Sequence, residues 1–476
     1  MINLEELSGI FITSDKETID VTNLVYKIDF YQNIYDPFVT GAIVLKDGPS
    51  SRLAKLFKES IVGKGEELGF EMKTATKPAS RNSDLLIEKY YIYKSTILPM
   101  EAAGEGLSTH TIILNFSSRY MFINEFNTVN QFHYDTISNI VSSIVKNYFG
   151  VDIAEIEDTE EKQFIILPGM NPLQTILWLS NRAYASPKNN KSSKLNAMMD
   201  VAKSSFTGTS ANPTNNNFVF YEDIEHNYHF VSLGKLFLND PVIGSLEETG
   251  IVLKSRAGNS LSTYEASYSA IQHISKSVCP ISNAKNGMYA STCLTFDLTR
   301  KKYAKLTMSY DELFKKQNHF YDKQLVDPEL DSSSNILNSV YDHPETCVKY
   351  FAKSSYMFTP NENLLKGNTP SNCVQKWALQ RIASMEAMDQ QGIDVEIRGN
   401  VGIQLGDVVL FSKQEINTTV ETEFMKNLDP LFFGKYLITK IKHSLENSGS
   451  FSGFNLRTSL SLRRDCDYPT ENGGAI

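Results

Sequence analysis

Two short hairpins near opposite ends of the chain superpose without a gap, and this duplication limits the available folds more than any other feature. Lys89 to Lys94 (KYYIYK) matches Lys435 to Lys440 (KYLITK), and the strands that follow place Leu114 and Phe116 opposite Leu460 and Leu462. Upstream, after a five-residue change of offset, Gly65-Glu66 leading to Phe70 resembles Gly406-Asp407 leading to Phe411. Both copies alternate apolar and polar residues, the period of a strand with one buried face. The pattern predicts one antiparallel barrel type used twice.

The rest of the chain fits around this pair. Short segments rich in β-branched and aromatic residues fill 10–117: Ile10 to Thr13, Val21 to Phe30, Phe38 to Leu45, Gly69 to Thr74, Tyr90 to Leu98 and Thr109 to Phe116. Only Ser51 to Glu59 has a helical pattern there. Beyond Tyr120, Ile137, Ile140, Val141, Ile144, Val145 and Tyr148 fall on one helix face, with Asp135 placed to cap its start and Gly150 to end it. A second helix is expected from Asn171, with Pro172 in its first turn. Ser186 to Asn217, rich in Ser, Asn and Lys, reads as a long mobile loop, and Phe218 to Leu233 as a hairpin turning near Glu225 to Asn227. Strand signal returns at Thr263, a mixed region follows with its best helix at Asn372 to Asp389 and Gly392 just past the end, and Ile393 to Leu462 is again strand-like.

Composition and motifs exclude several function classes. The 476 residues carry a formal net charge of -9, which argues against a chain built to grip phosphate backbones. The densest charge run, Asp152 to Glu161, reads as a solvated loop. No apolar run reaches the ~18 residues of a membrane span, and the first residues lack the pattern of a signal peptide, so synthesis in the cytoplasm is expected. Five scattered cysteines, Cys279, Cys293, Cys347, Cys373 and Cys466, support neither a disulfide framework nor zinc. Nucleophile-elbow, zincin, P-loop and EF-hand patterns are absent. Ser282 and Lys285 fit Ser-x-x-Lys without its partner motifs, and Gly63 to Gly69 misses dinucleotide spacing. Glu222, Asp223, His226 and His229 could be offered as metal ligands, but residues three apart on a strand face opposite ways. They read as hairpin side chains. No catalytic residue, cofactor or metal ligand is assigned.

Four segments in order resemble the central baseplate hub proteins of contractile-tailed bacteriophages, a family related to the base of type VI secretion spikes. They are Asn33 to Asp47 (NIYDPFVTGAIVLKD); Asn171 to Ala185 followed by Phe218 to Asp223 and His229 to Ser232; Gly402 to Phe411 (GIQLGDVVLF); and Gly434 to His443 (GKYLITKIKH) with Asn455 to Leu462. The motif positions are Tyr35, Asp36, Pro37, Gly41, Asp47, Asn171, Pro172, Gly406, Asp407, Tyr436 and His443, all read as structural.

The resemblance implies a mainly β chain with α/β insertions and two tandem tail-tube-type antiparallel β-barrels, which form a pseudo-sixfold ring in a homotrimer. The expected division is 1–117 for the first barrel, 118–233 for an α/β insertion containing the mobile loop 186–217, 234–279 with 391–466 for the second barrel, 280–390 for a mixed α/β insertion, and 467–476 for a tail. The implied role is a non-enzymatic hub in the virion tail baseplate, adapting the sixfold tail tube to a threefold cell-puncturing spike. Implied partners are the spike protein, the tail tube protein, and baseplate wedge and tape-measure proteins, with DNA passing through without specific binding. Acidic side chains are expected to line that channel. The alternatives are a distal-tail or tube-terminal adaptor and a tail-associated cell-wall hydrolase.

Overall fold

The computed structural model describes residues 5–13, 18–47, 66–74, 85–103, 107–160, 162–185, 215–247, 270–276, 279–297, 302–324, 344–352, 374–399, 401–412, 432–447 and 454–468. The N-terminal strands are β1 (Glu5–Thr13), β2 (Thr18–Asp20), β3 (Val25–Asn33), β4 (Thr40–Asp47), β5 (Glu67–Thr74), β6 (Leu85–Ala103) and β7 (Leu107–Ser117). After α1 (Arg119–Glu125) come β8 (Phe132–Asp135), α2 (Ile137–Phe149), β9 (Glu155–Ile156), β10 (Gln163–Ile166), α3 (Pro172–Ser180), β11 (Phe218–Glu222), β12 (Tyr228–Ser232) and α4 (Leu233–Leu236). Then follow β13 (Ile243–Glu247), β14 (Ala270–Lys276), α5 (Pro280–Asn286), β15 (Ala290–Asp297), β16 (Lys302–Ser309), α6 (Tyr310–Phe314), β17 (Val348–Ala352) and α7 (Val374–Met388). The chain closes with β18 (Gln391–Arg398), β19 (Val408–Ser412), β20 (Gly434–Asn447) and β21 (Phe454–Arg464).

Thirteen strands form one sheet in the order β14-β18-β21-β20-β3-β4-β7-β6-β5-β1-β2, with β19 also on β20 and β13 on β19. The duplication is built into its register. Ile92 lies opposite Phe116 and Ile438 opposite Leu462; both ladders then bulge, at Tyr93 and Thr439, and resume with Ser95 opposite Leu114 and Ile441 opposite Leu460. The N–H of Ile92 donates to the Glu66 carbonyl at 2.9 Å, and that of Ile438 to the Asp407 carbonyl at 2.9 Å. Two further strands join the repeat. Ile43 pairs with Leu114 as Val395 pairs with Leu460, and Ile28 pairs with Ile43 as His273 pairs with Val395. Even the bulge between Val25 and Lys27 recurs between Ala270 and Gln272. Thus β3-β4-β7-β6-β5 and β14-β18-β21-β20-β19 are one motif twice. The likeness stops at the next strand, since β1 runs antiparallel to β5 whereas β13 runs parallel to β19.

The expected separate barrels are instead halves of this single sheet, and no ladder closes either half among the described residues. The cause lies in the length of β20: one edge pairs with β19 over Gly434–Leu437 and, past the bulge, with β3 over Lys440–Glu446. An edge that a closed barrel would keep to itself is shared. Each half curls around its own core. The first is centred on Phe30, Phe70, Tyr90 and Phe116, whose rings lie 5.0 to 5.7 Å apart, with neighbouring pairs edge-on or tilted as their quadrupoles favour. The second packs Val395, Val409, Phe411, Tyr436, Ile441, Leu460 and Leu462 against Val219, Tyr221, Leu233 and Leu236.

Between the halves, α2 and α3 pack with β11 and β12 around a third core. The helix α2 buries the expected stripe but substitutes Phe149 for Tyr148 at its end, and its cap is Thr136, whose Oγ1 accepts from the Asn139 N–H at 3.4 Å. Asp135 instead accepts from the Thr136 N–H at 2.8 Å. Gly150 takes the left-handed φ of 73° that ends the helix. Gly392 does not terminate α7; it lies within β18, where an added Cβ would meet the Arg463 side chain. The acidic run is not simply solvated: Glu157 is buried and accepts from the Ser232 N–H at 2.7 Å, the hydrogen bond compensating its lost hydration. Ser51 to Glu59, Gly65, Thr263 and residues 186–214 lie outside the described residues. Asn215, Asn216 and Asn217, assigned above to the loop, are buried; the Asn216 side chain donates to Gln380 Oε1 at 3.0 Å, and Arg381 donates to the Phe218 carbonyl at 2.9 Å. No described helix is long and apolar enough to cross a membrane.

Candidate assembly surface

The motif residues singled out in the sequence do not converge on a pocket. They shape turns and strand contacts. The Asn33 side chain donates to Asp36 Oδ2 at 2.7 Å and accepts from the Tyr35 N–H at 3.2 Å, holding the turn before buried Pro37. Burial pushes the Tyr35 hydroxyl up to about 12. Gly41 lies beneath the Phe116 ring, which leaves no space for a Cβ. Asp47 pairs with His110 at the end of β4. Asn171 precedes α3 without a side-chain cap bond; Asn124 from α1 supplies it, accepting from the Leu173 N–H at 2.8 Å, while Pro172 occupies the first turn. Gly406 has a φ of +80°, and the Asp407 carboxylate accepts from the Gln404 N–H at 2.8 Å. Tyr436 is buried, its hydroxyl raised by burial and donating to the Phe432 carbonyl at 3.0 Å. His443 is buried against Thr458 Oγ1 at 2.9 Å, and desolvation lowers it to about 4.

The four hairpin residues weighed as metal ligands form two separate pairs. His226, at a turn φ of 62°, places Nδ1 2.6 Å from Glu222, whose carboxyl is raised by complete burial and also accepts from the Val39 N–H. His229 lies 3.1 Å from Asp223 and 3.7 Å from Glu155. Burial alone would discharge His229, but the hydrogen bond to Asp223 and the charge of the nearby Glu155 carboxylate outweigh it and raise the imidazole to about 9. Glu155, held beside His229 and ion-paired to Lys235 at 2.5 Å, falls to about 2. No metal-holding cluster occurs among the described residues. The His229 group links β9, β12 and α4, whereas the His226–Glu222 pair joins the hairpin turn to β11.

The surface features that the motif reading missed are strand edges. Beyond Ile92, β6 forms a ladder only with β7, and β14 only with β18, among the described residues. Ile97 is 55% exposed and Leu98 41% exposed on this distal stretch of β6. Edges of this kind are ready to pair with another strand. The solvent face of the sheet is not acidic: Lys27 bridges Glu446 at 2.7 Å, Arg457 bridges Glu396 at 2.9 Å, Arg463 bridges Asp394 at 3.1 Å, and Lys442 lies 3.6 Å from Asp29. Side chains of both signs are interleaved and paired there.

A duplicated, mainly antiparallel sheet with open edges defines a scaffold class, and its likeness among solved structures is to tail proteins. The tail protein of Neisseria meningitidis MC58 matches with a TM-score of 0.50 and 10% identity, over 96% of this chain and 96% of that one, which establishes a shared fold. The 43 kDa tail protein of prophage MuSo2 from Shewanella oneidensis matches at 0.45 and 9% identity, over 97% of this chain and 100% of that one. A type VI secretion component of E. coli, described as structurally similar to T4 bacteriophage tail proteins, matches at 0.37 and 8% identity, over 99% of this chain and 79% of that one. No family model matches the sequence, and no curated protein matches it.

Proposed function

We propose that the chain is the central hub of a contractile-tail baseplate, a structural and non-catalytic component of the virion. The observation that carries this reading is the register-matched repeat of five strands within one sheet. Three chains supply six such units, a number that matches a sixfold tail tube on one side, while the threefold assembly matches a threefold spike on the other. Each curved half acts as a tail-tube-type barrel, completed by its neighbours in the ring. The division follows the sequence: 1–117 and 234–279 with 391–466 form the ring, 118–233 and 280–390 are insertions, and 467–476 is a tail. Spike, tube, wedge and tape-measure proteins are the partners. The ion-paired face of the sheet lines the channel, where side chains of both signs give passing DNA little net field to cling to.

Counting copies in intact tails by quantitative mass spectrometry tests the proposal. Three per tail is expected. Six or twelve would overturn the hub reading in favour of a tube-like adaptor.

A further inference from the structure

The repeat fixes not only what the two halves share but how a second copy joins. Inside the chain, β3 of the first repeat lies against the distal stretch of β20 of the second, with Tyr31 opposite Lys442, Phe30 opposite His443 and Asp29 opposite Ser444. The equivalent of β3 is β14, and the equivalent of β20 is β6. Each of the two has a stretch of edge that no other strand pairs with among the described residues. Carrying the internal junction across the repeat brings Thr96 opposite Lys276, Ile97 opposite Ser275 and Leu98 opposite Ile274.

We infer that β14 of one copy adds antiparallel to the distal stretch of β6 of a second copy, in this register. The inference rests on the self-assembling ring proposed above and supplies its contact. Burial supports it. His443 and Ser444, at the internal junction, are 0% and 9% exposed, whereas their equivalents Ile97 and Leu98 are 55% and 41% exposed. An apolar pair stands in water where the repeat places a covered position, and the strand that covers that position in the other repeat is β3. The contact is heterologous, each chain giving β14 and receiving on β6, so it propagates around a ring rather than stopping at a dimer. Its length is limited, because β6 bulges between Leu98 and Glu101.

Cysteine pairs in the full-length protein read the register directly. Ile97→Cys with Ser275→Cys and Leu98→Cys with Ile274→Cys are adjacent opposed pairs, so one of the two is the closer, non-hydrogen-bonded kind. Under mild oxidation, linked dimers and trimers are expected from at least one double variant and from neither of its single variants, which control for the native thiols. Ile97→Cys with His273→Cys, two residues out of register, is expected to link at least tenfold less. Ile97→Lys is expected to abolish the trimer while leaving the circular-dichroism spectrum of the folded chain unchanged, its melting temperature falling only by the concentration-dependent share that association supplied. Trimers by light scattering that link in neither pair would overturn the pairing and leave the hub reading standing. Linked open chains longer than three would support the pairing and overturn threefold closure, while an unlinked monomer at every concentration would overturn the pairing.

Discussion

Replacing Gly406 with alanine separates two causes of strain at one position. The residue has a φ of +80°, and an added Cβ would lie 2.6 Å from Tyr221 Oη. Holding an L side chain in the left-handed region costs about 1 to 2 kcal/mol. Forcing a methyl group against a packed ring adds about 1 to 3 kcal/mol. Gly406→Ala is therefore expected to destabilise by about 2 to 5 kcal/mol, measured by urea denaturation with the fluorescence of Trp178 and Trp377. Tyr221→Phe removes the clashing oxygen and forfeits only its long 3.5 Å hydrogen bond to the Leu405 carbonyl. In that background Gly406→Ala should cost only the backbone share, about 1 to 2 kcal/mol. Equal costs in both backgrounds would refute the clash, and a cost below about 0.5 kcal/mol in the Tyr221→Phe background would refute the backbone strain.

Other substitutions probe the cores and the titrating groups. Phe116→Ala should cost about 3 to 5 kcal/mol in the same assay, because it empties the centre of a four-ring cluster. Arg464 is buried, donating to Gln391 Oε1 at 2.6 Å and the Phe433 carbonyl at 2.8 Å; Arg464→Met should cost about 3 to 5 kcal/mol, and Arg464→Lys should not restore it. His229 is raised from 6.5 to about 9, so the stability it contributes is full below pH 6.5 and lost as pH rises to about 9; melting curves of His229→Gln should show a flatter fall over that window. His443 is lowered from 6.5 to about 4, so it holds stability above pH 6.5 that disappears as pH falls toward 4; His443→Leu should flatten that acid limb.

Local signals in the sequence marked the strands and α2 because burial on one face leaves a period that can be read directly. The hairpin match was also legible, down to the five-residue offset, since Glu66 and Asp407 accept equivalent hydrogen bonds from Ile92 and Ile438. The equivalence of β3 with β14 and β4 with β18 was not: Ile28 corresponds to His273 and Gly41 to Ile393, so backbone register persists where side chains do not. Nor does any short-range pattern announce that β20 would join β3, the ladder that unites the two halves in one sheet. Glu157 and Asn215 to Asn217 misled for another reason. Polar residues read as solvated, but each has a backbone or side-chain partner that makes burial tolerable. For the assembly surface, Ile97 and Leu98 fall at the end of the expected strand Tyr90 to Leu98, and only their exposure in the folded chain sets them apart.

The junction between β3 and β20 joins residues near 30 to residues near 440, and that separation imposes a schedule on synthesis. Chains emerge at about 5 to 20 residues per second, so β3 leaves the ribosome roughly 20 to 80 s before its partner exists. During that interval its hydrogen-bonding edge is open, and the strands of a neighbouring nascent chain on the same message carry the same pairing code. Expression yield should therefore respond to ribosome spacing and to chaperone supply more than the stability of the finished fold would suggest.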